Sequence, residues 1–130
     1  MDNNFAKIRD FLLELECTIV SEVENDSVFV IEHEQNGIKN MVVACADPIV
    51  IIEQQLFSIK KDSMEMYKTL LQKNRDIIHG AFVIDETGTN VLFRDTLQIE
   101  NLDINELEGT LNSFSLLLSE YSDEIIGFSA

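Results

Sequence analysis

Tyr67-Lys68-Thr69-Leu70-Leu71-Gln72-Lys73-Asn74, His79-Gly80-Ala81-Phe82-Val83-Ile84-Asp85 and Val91-Leu92-Phe93-Arg94-Asp95-Thr96-Leu97 are the three runs that decide the fold. Around the first, Met66, Leu70, Asn74 and Ile77 recur at helical spacing and follow one face. Asp62 with Glu65 three residues on marks the helix start in the manner of a capping box. Lys73 and Arg75 suit the negative end of its dipole, and His79-Gly80 closes it. The other two runs are extended. Phe82 and Ile84 share one face of Ala81 to Asp85, while Val91, Phe93, Leu97 and Ile99 share one face of Asn90 to Ile99. Glu86-Thr87-Gly88-Thr89 between them is the length of a turn, so the pair reads as a hairpin.

Toward the N-terminus, Phe5, Ile8, Leu12 and Leu15 form the apolar stripe of an amphipathic helix. Cys17 to Val20 is rich in β-branched residues and starts a strand that stops at Asn25-Asp26. Ser27 to Glu34 is extended again, Asn36-Gly37 reads as a hairpin dipeptide, and Ile38 to Ala46 returns. Asp47-Pro48 breaks that strand. Ile49 to Ile59 is open between strand and helix, because periodicity does not settle a short apolar run; its β-branched content favours strand. Toward the C-terminus, Asp103 and Glu106 form a capping box for a helix whose stripe is Ile104, Leu107, Leu111, Phe114, Leu118 and Tyr121, widened by Leu116 and Leu117. No linker or repeat divides residues 1–130. Segregated hairpins imply one α+β domain: an antiparallel sheet with N-terminal, middle and C-terminal helices.

With 24 acidic and 9 basic residues the net charge is −15, which repels nucleic acid phosphates and anionic lipid headgroups and argues against both as partners. The apolar run from Pro48 to Phe57 is broken by Glu53, Gln54 and Gln55, so no membrane span is expected. Met1-Asp2-Asn3-Asn4 lacks the charge and apolar stretch of a secretory leader. Cys17 and Cys45 then read as reduced, partly buried thiols of a cytoplasmic protein. Cations are uneven: Lys60, Lys61, Lys68, Lys73 and Arg75 cluster around the second helix, and nothing after Arg94 is basic. That cluster is either a solvated face or a surface that meets an acidic one on another subunit.

Chemistry is not visible. His33 and His79 belong to no ligand pair, and Glu32, His33 and Glu34 alternate faces if extended, a poor chelate. The cysteines sit among apolar strand residues, where a thiol is inert. No nucleophile elbow or phosphate loop is present, and five glycines leave little material for one. Carboxylate pairs such as Asp95 with Glu100 carry almost no information in so acidic a chain, and for Arg94 beside Asp95 a cross-strand surface ion pair is at least as good a reading as a catalytic one. The expectation is a non-enzyme without cofactor or metal.

The three opening runs and the closing amphipathic helix, residues 67 to about 121, resemble the type III secretion chaperone-like superfamily, which includes the class I effector chaperones of the Tir chaperone type and the YbjN-like proteins. The resemblance implies a homodimeric, non-enzymatic α+β protein that holds an extended segment of a protein client against apolar patches. The YbjN-like members share the fold without an established secretion role, so self-association in a regulatory or scaffold protein is the alternative. Apolar residues in excess of one stripe per element mark protein-binding candidates, Phe11, Leu13 and Leu92, although a second core layer would use them equally well. The basic helix and the apolar run before it mark dimer-interface candidates, Leu56, Phe57, Met66 and Leu70.

Overall fold

Asn4–Glu14 coils into helix α1, which buries Phe5, Ile8 and Leu12 along one stripe. The computed structural model describes residues 4–130; Met1, Asp2 and Asn3, part of the terminus read as lacking a leader, lie outside them. Thr18–Val23 (β1), Val28–His33 (β2), Ile38–Ala46 (β3) and Ile49–Ser58 (β4) follow as an antiparallel meander. The open segment is therefore a strand. Val50 and Ile52 bury while Ile49 and Ile51 turn to the other face, the two-residue period of a pleated sheet.

The loops differ in detail from the reading of the residues. Asn36-Gly37 is not a two-residue hairpin turn: Glu34–Asn36 is a 3₁₀ turn and Gly37 alone takes positive φ, +73°. A Cβ at Gly37 would also meet Leu118 Cδ1 at 2.6 Å, so a side chain there would have to displace the tip of Leu118 as well as hold a left-handed backbone. The β1–β2 loop has the same build, Glu24–Asp26 followed by Ser27 at φ 56°, but with a non-glycine residue at the left-handed position.

Met64–Lys73 forms helix α2, and its cap is Ser63 rather than Asp62. Ser63 Oγ accepts from the Met66 N–H at 3.2 Å, whereas Asp62 accepts from the Tyr67 hydroxyl at 2.6 Å. The register that buries Met66 and Leu70 sets this start. The helix also ends before His79-Gly80. Asn74–Asp76 tightens into a 3₁₀ turn and Ile77 is already extended, because the Asn74 side chain is drawn to the next strand. Ala81–Ile84 (β5) and Asn90–Gln98 (β6) are the expected hairpin, and the Asp103–Glu106 capping box opens Ile104–Ser129 (α3). Along α3 the buried stripe runs through Leu107, Leu111, Phe114, Leu117 and Tyr121 and includes Thr110; Leu118 sits at its margin over Gly37.

The strand order is β1-β2-β3-β4-β6-β5, with every neighbouring pair antiparallel. β6 thus pairs with β4 along its whole length and pushes β5 to the edge. One face of the sheet carries Phe29, Ile31, Met41, Val43, Val50, Ile52, Val91 and Phe93, all buried with the stripes of the three helices. Phe5 stacks on Phe29 at 4.2 Å, and Phe93 meets Phe114 edge-on at 5.0 Å, so α1 and α3 are each pinned by an aromatic pair. Cys17 belongs to this core, and burial pushes its thiol up to about 11, which leaves it an unreactive apolar group.

Candidate protein-binding surfaces

The helices cover one face of the sheet, and the other is built of part-exposed apolar side chains. Cross-strand register sets them in rows: Val30, Val42, Glu53 and Arg94 in one, Val28, Ala44, Ile51 and Thr96 in the next, and Gln55, Leu92 and Val83 in a third. None of the apolar residues in these rows belongs to the core cluster. Among the described residues the ion pair on this face is Arg94 Nη1 to Glu53 Oε2 at 2.6 Å, a cross-strand pair that leaves these rows without net charge. In a chain of net charge −15, these rows are mostly apolar, with Glu32 beside Val30 as a further charge on the same face.

A second apolar surface lies where α2 meets the edge strand. Leu70, Leu71, Tyr67, Phe82, Val83 and Ile84 line a groove of about 280 Å³ that is almost devoid of polar atoms. Leu71 is 69% exposed and Ile84 45%, so both are available to a partner. Asn74 borders this edge. Its Oδ1 accepts from the Phe82 N–H at 2.8 Å and its Nδ2 donates to the Phe82 carbonyl at 3.2 Å. The carboxamide therefore imitates one peptide group of a neighbouring strand and closes the β5 edge at Phe82.

The residues singled out from the sequence are dispersed. Leu13 is exposed, and Phe11 packs partly against the core with Lys7 Nζ 5.8 Å from its ring centroid. Leu92 lies on the outer sheet face between Gln55 and Val83. Phe57, Met66 and Leu70 are buried within the chain and Leu56 packs partly against the core, so these four have little free surface to give a second copy. Their exposed neighbours do. Leu71 and Ile84 were not singled out; the signal was an apolar residue beside each buried stripe position, Leu71 next to Leu70 and Ile84 at the end of a strand.

Polar groups are used structurally. Thr110 is fully buried, and its hydroxyl donates to Asp95 Oδ2 at 2.7 Å, tying α3 to β6. Asp85 accepts from the Asn90 side chain, from Thr87 and from the backbone N–H groups of Thr89 and Asn90, and these bonds hold its carboxyl down at about 2. His79 anchors its loop through its backbone, bonded in both directions to Ser113 Oγ. Among the described residues no group of three or more His, Cys, Asp or Glu is placed to hold a metal ion. Among them, too, no helix is long and apolar enough to cross a membrane.

A six-stranded antiparallel sheet with helices packed on one face defines an α+β architecture. The sequence matches the CesT_Tir_1 family over residues 1–130, and the chain belongs to that family. No curated protein sequence is detectably similar to it. Among solved structures, YbjN from E. coli aligns with TM-score 0.71 at 12% identity, over 92% of this chain and 91% of that one. The chaperone–effector complex HopA1-SchA aligns with TM-score 0.64 at 13% identity, over 99% and 98% of the two chains. The Yersinia pestis type III secretion chaperone SycH, solved with a stable fragment of YscM2, aligns with TM-score 0.57 at 16% identity, over 97% and 99%. The chaperone-like fold read from the hairpin and closing helix is thus the fold of the chain.

Proposed function

We propose that the chain is a non-enzymatic protein-binding module that acts as a homodimer and holds an extended segment of a protein client. The observation that carries this reading is the part-exposed apolar sheet face, left uncovered by the helices on an otherwise strongly acidic molecule. Apolar surface of that kind is kept for partners, and the surrounding charge keeps it soluble. Leu92 and the Val42–Ile51 region supply the client surface, with Leu13 as a further contact. The dimer forms through the α2–β5 groove, where Leu71 and Ile84 are exposed and where Lys68 of α2 faces carboxylates of the second copy. Similarity to SchA and SycH, both solved bound to protein partners, supports the client; the cytoplasm, where both cysteines stay reduced, is the place of action.

A pull-down from extract of the source cell, under conditions that keep the dimer, tests the client. Wild type retains a protein that Leu92→Glu releases. Recovery of no client speaks for the second reading, self-association in a regulatory or scaffold protein, whose regulatory part fits the likeness to YbjN, described as a candidate transcription regulator.

A further inference from the structure

The loop Asp76–His79 and the flank of α3 enclose a second groove of about 240 Å³, separate from the sheet face and from the α2–β5 edge. Its floor is apolar, made by Ile77, Leu117 and Tyr121. Two exposed apolar side chains stand at its lip, Ile78 at 85% exposure and Leu116 at 56%. Asp76 and Glu120 line the same groove, and together with Glu124 they act on the Tyr121 phenol, whose pKa burial and these carboxylates raise. No basic residue follows Arg94, so the α3 wall carries carboxylates without a counter-charge of its own. Two cations border the groove: Lys73, whose Nζ lies 5.2 Å from the Tyr121 ring centroid, and Arg75, next in the chain to Asp76.

The walls are held in place before anything binds. Ser113 Oγ accepts from the His79 N–H at 3.3 Å and donates to the His79 carbonyl at 2.7 Å. Gly109 lets the loop close: a Cβ there would come to 3.3 Å from His79 Nε2. A preformed groove avoids the ordering cost of binding. It is smaller than the ~300–1,000 Å³ that encloses a small organic ligand, and its contents are better matched by a few side chains of a docked chain.

We propose that this groove docks a short amphipathic segment of another protein, with apolar side chains on Ile77, Ile78 and Leu116 and a lysine or arginine set against Asp76 and Glu120. Charge complementarity selects the partner: acidic or neutral apolar segments leave the rim carboxylates desolvated and unpaired.

Fluorescence anisotropy with two labelled helical peptides tests it, one of leucine and lysine, the other with glutamate for every lysine. The leucine–lysine peptide binds and the leucine–glutamate peptide does not. Glu120→Lys weakens binding about tenfold, Ile78→Ser weakens it several-fold, and Glu24→Lys on the distant β1–β2 loop leaves it unchanged. All three positions are exposed, and thermal melts confirm that the variants fold. Absence of binding overturns the proposal, as does an equal loss in Glu24→Lys and Glu120→Lys, which marks general attraction to an acidic protein. Leu71→Glu and Leu92→Glu bind the peptide like wild type, which separates this groove from the dimer and client surfaces; loss of binding in either contradicts a separate site.

Discussion

Asn74 gives its whole carboxamide to Phe82, accepting from its N–H at 2.8 Å and donating to its carbonyl at 3.2 Å. One side chain thereby ends α2, positions β5 and occupies the outward-facing backbone groups of an edge strand. Asn74→Ala removes two part-buried hydrogen bonds and leaves both groups of Phe82 to water. A loss of about 1–3 kcal/mol is expected in urea denaturation. The uncovered edge should also increase concentration-dependent association, read by light scattering. Asn74→Asp keeps only the acceptor and falls between the two.

The Thr110–Asp95 bond is the polar link between α3 and the sheet. Asp95→Ala leaves the fully buried Thr110 hydroxyl with only a long contact to the Glu106 carbonyl at 3.4 Å. The expected cost is about 1–3 kcal/mol. Thr110→Val in the Asp95→Ala background should recover part of it, because an apolar group of the same shape has no hydrogen bond to lose.

Ser27 holds φ 56°, the conformation that Gly37 takes in the following loop. A side chain in that region costs about 1–2 kcal/mol relative to glycine, and glycine returns part of this as unfolded-state entropy. Ser27→Gly is therefore expected to raise the melting temperature slightly. Gly37→Ser, beneath Leu118, should lower it.

Asp85 contributes to the acid limb of stability, alongside Glu22, whose carboxyl its hydrogen bond to Arg9 also holds down. The folded pKa of Asp85, about 2, is held down chiefly by the Asn90 side chain and then by Thr87 and two backbone N–H groups. An unfolded aspartate titrates near ~3.9, so the contribution is complete above that pH and is lost as pH falls toward 2. Asp85→Asn should flatten the decline of stability between about pH 4 and pH 2, measured by thermal melts across that range.

Much of the fold was legible in local chemistry. Helical spacing gave Phe5, Ile8 and Leu12, alternation gave Val91 and Phe93, and Asp103 with Glu106 formed the capping box the residues describe. What remained hidden depends on contacts between distant residues. Ser63 displaces Asp62 as the α2 cap because core packing of Met66 sets the register, and Asn74 stops the helix because Phe82 lies within reach. The binding surfaces were harder to read, since an apolar residue looks alike in sequence whether it faces the core or solvent. Phe57, Met66 and Leu70 went inward, leaving Leu71 and Ile84 outside.

Multi-angle light scattering at micromolar concentration, on wild type and on Leu71→Glu, tests the proposed assembly most directly. Wild type is expected at twice the 14.8 kDa chain mass and Leu71→Glu, folded but unable to bury its groove, at the chain mass itself. A wild-type monomer contradicts the homodimer, and a Leu71→Glu variant that stays dimeric contradicts the α2–β5 interface.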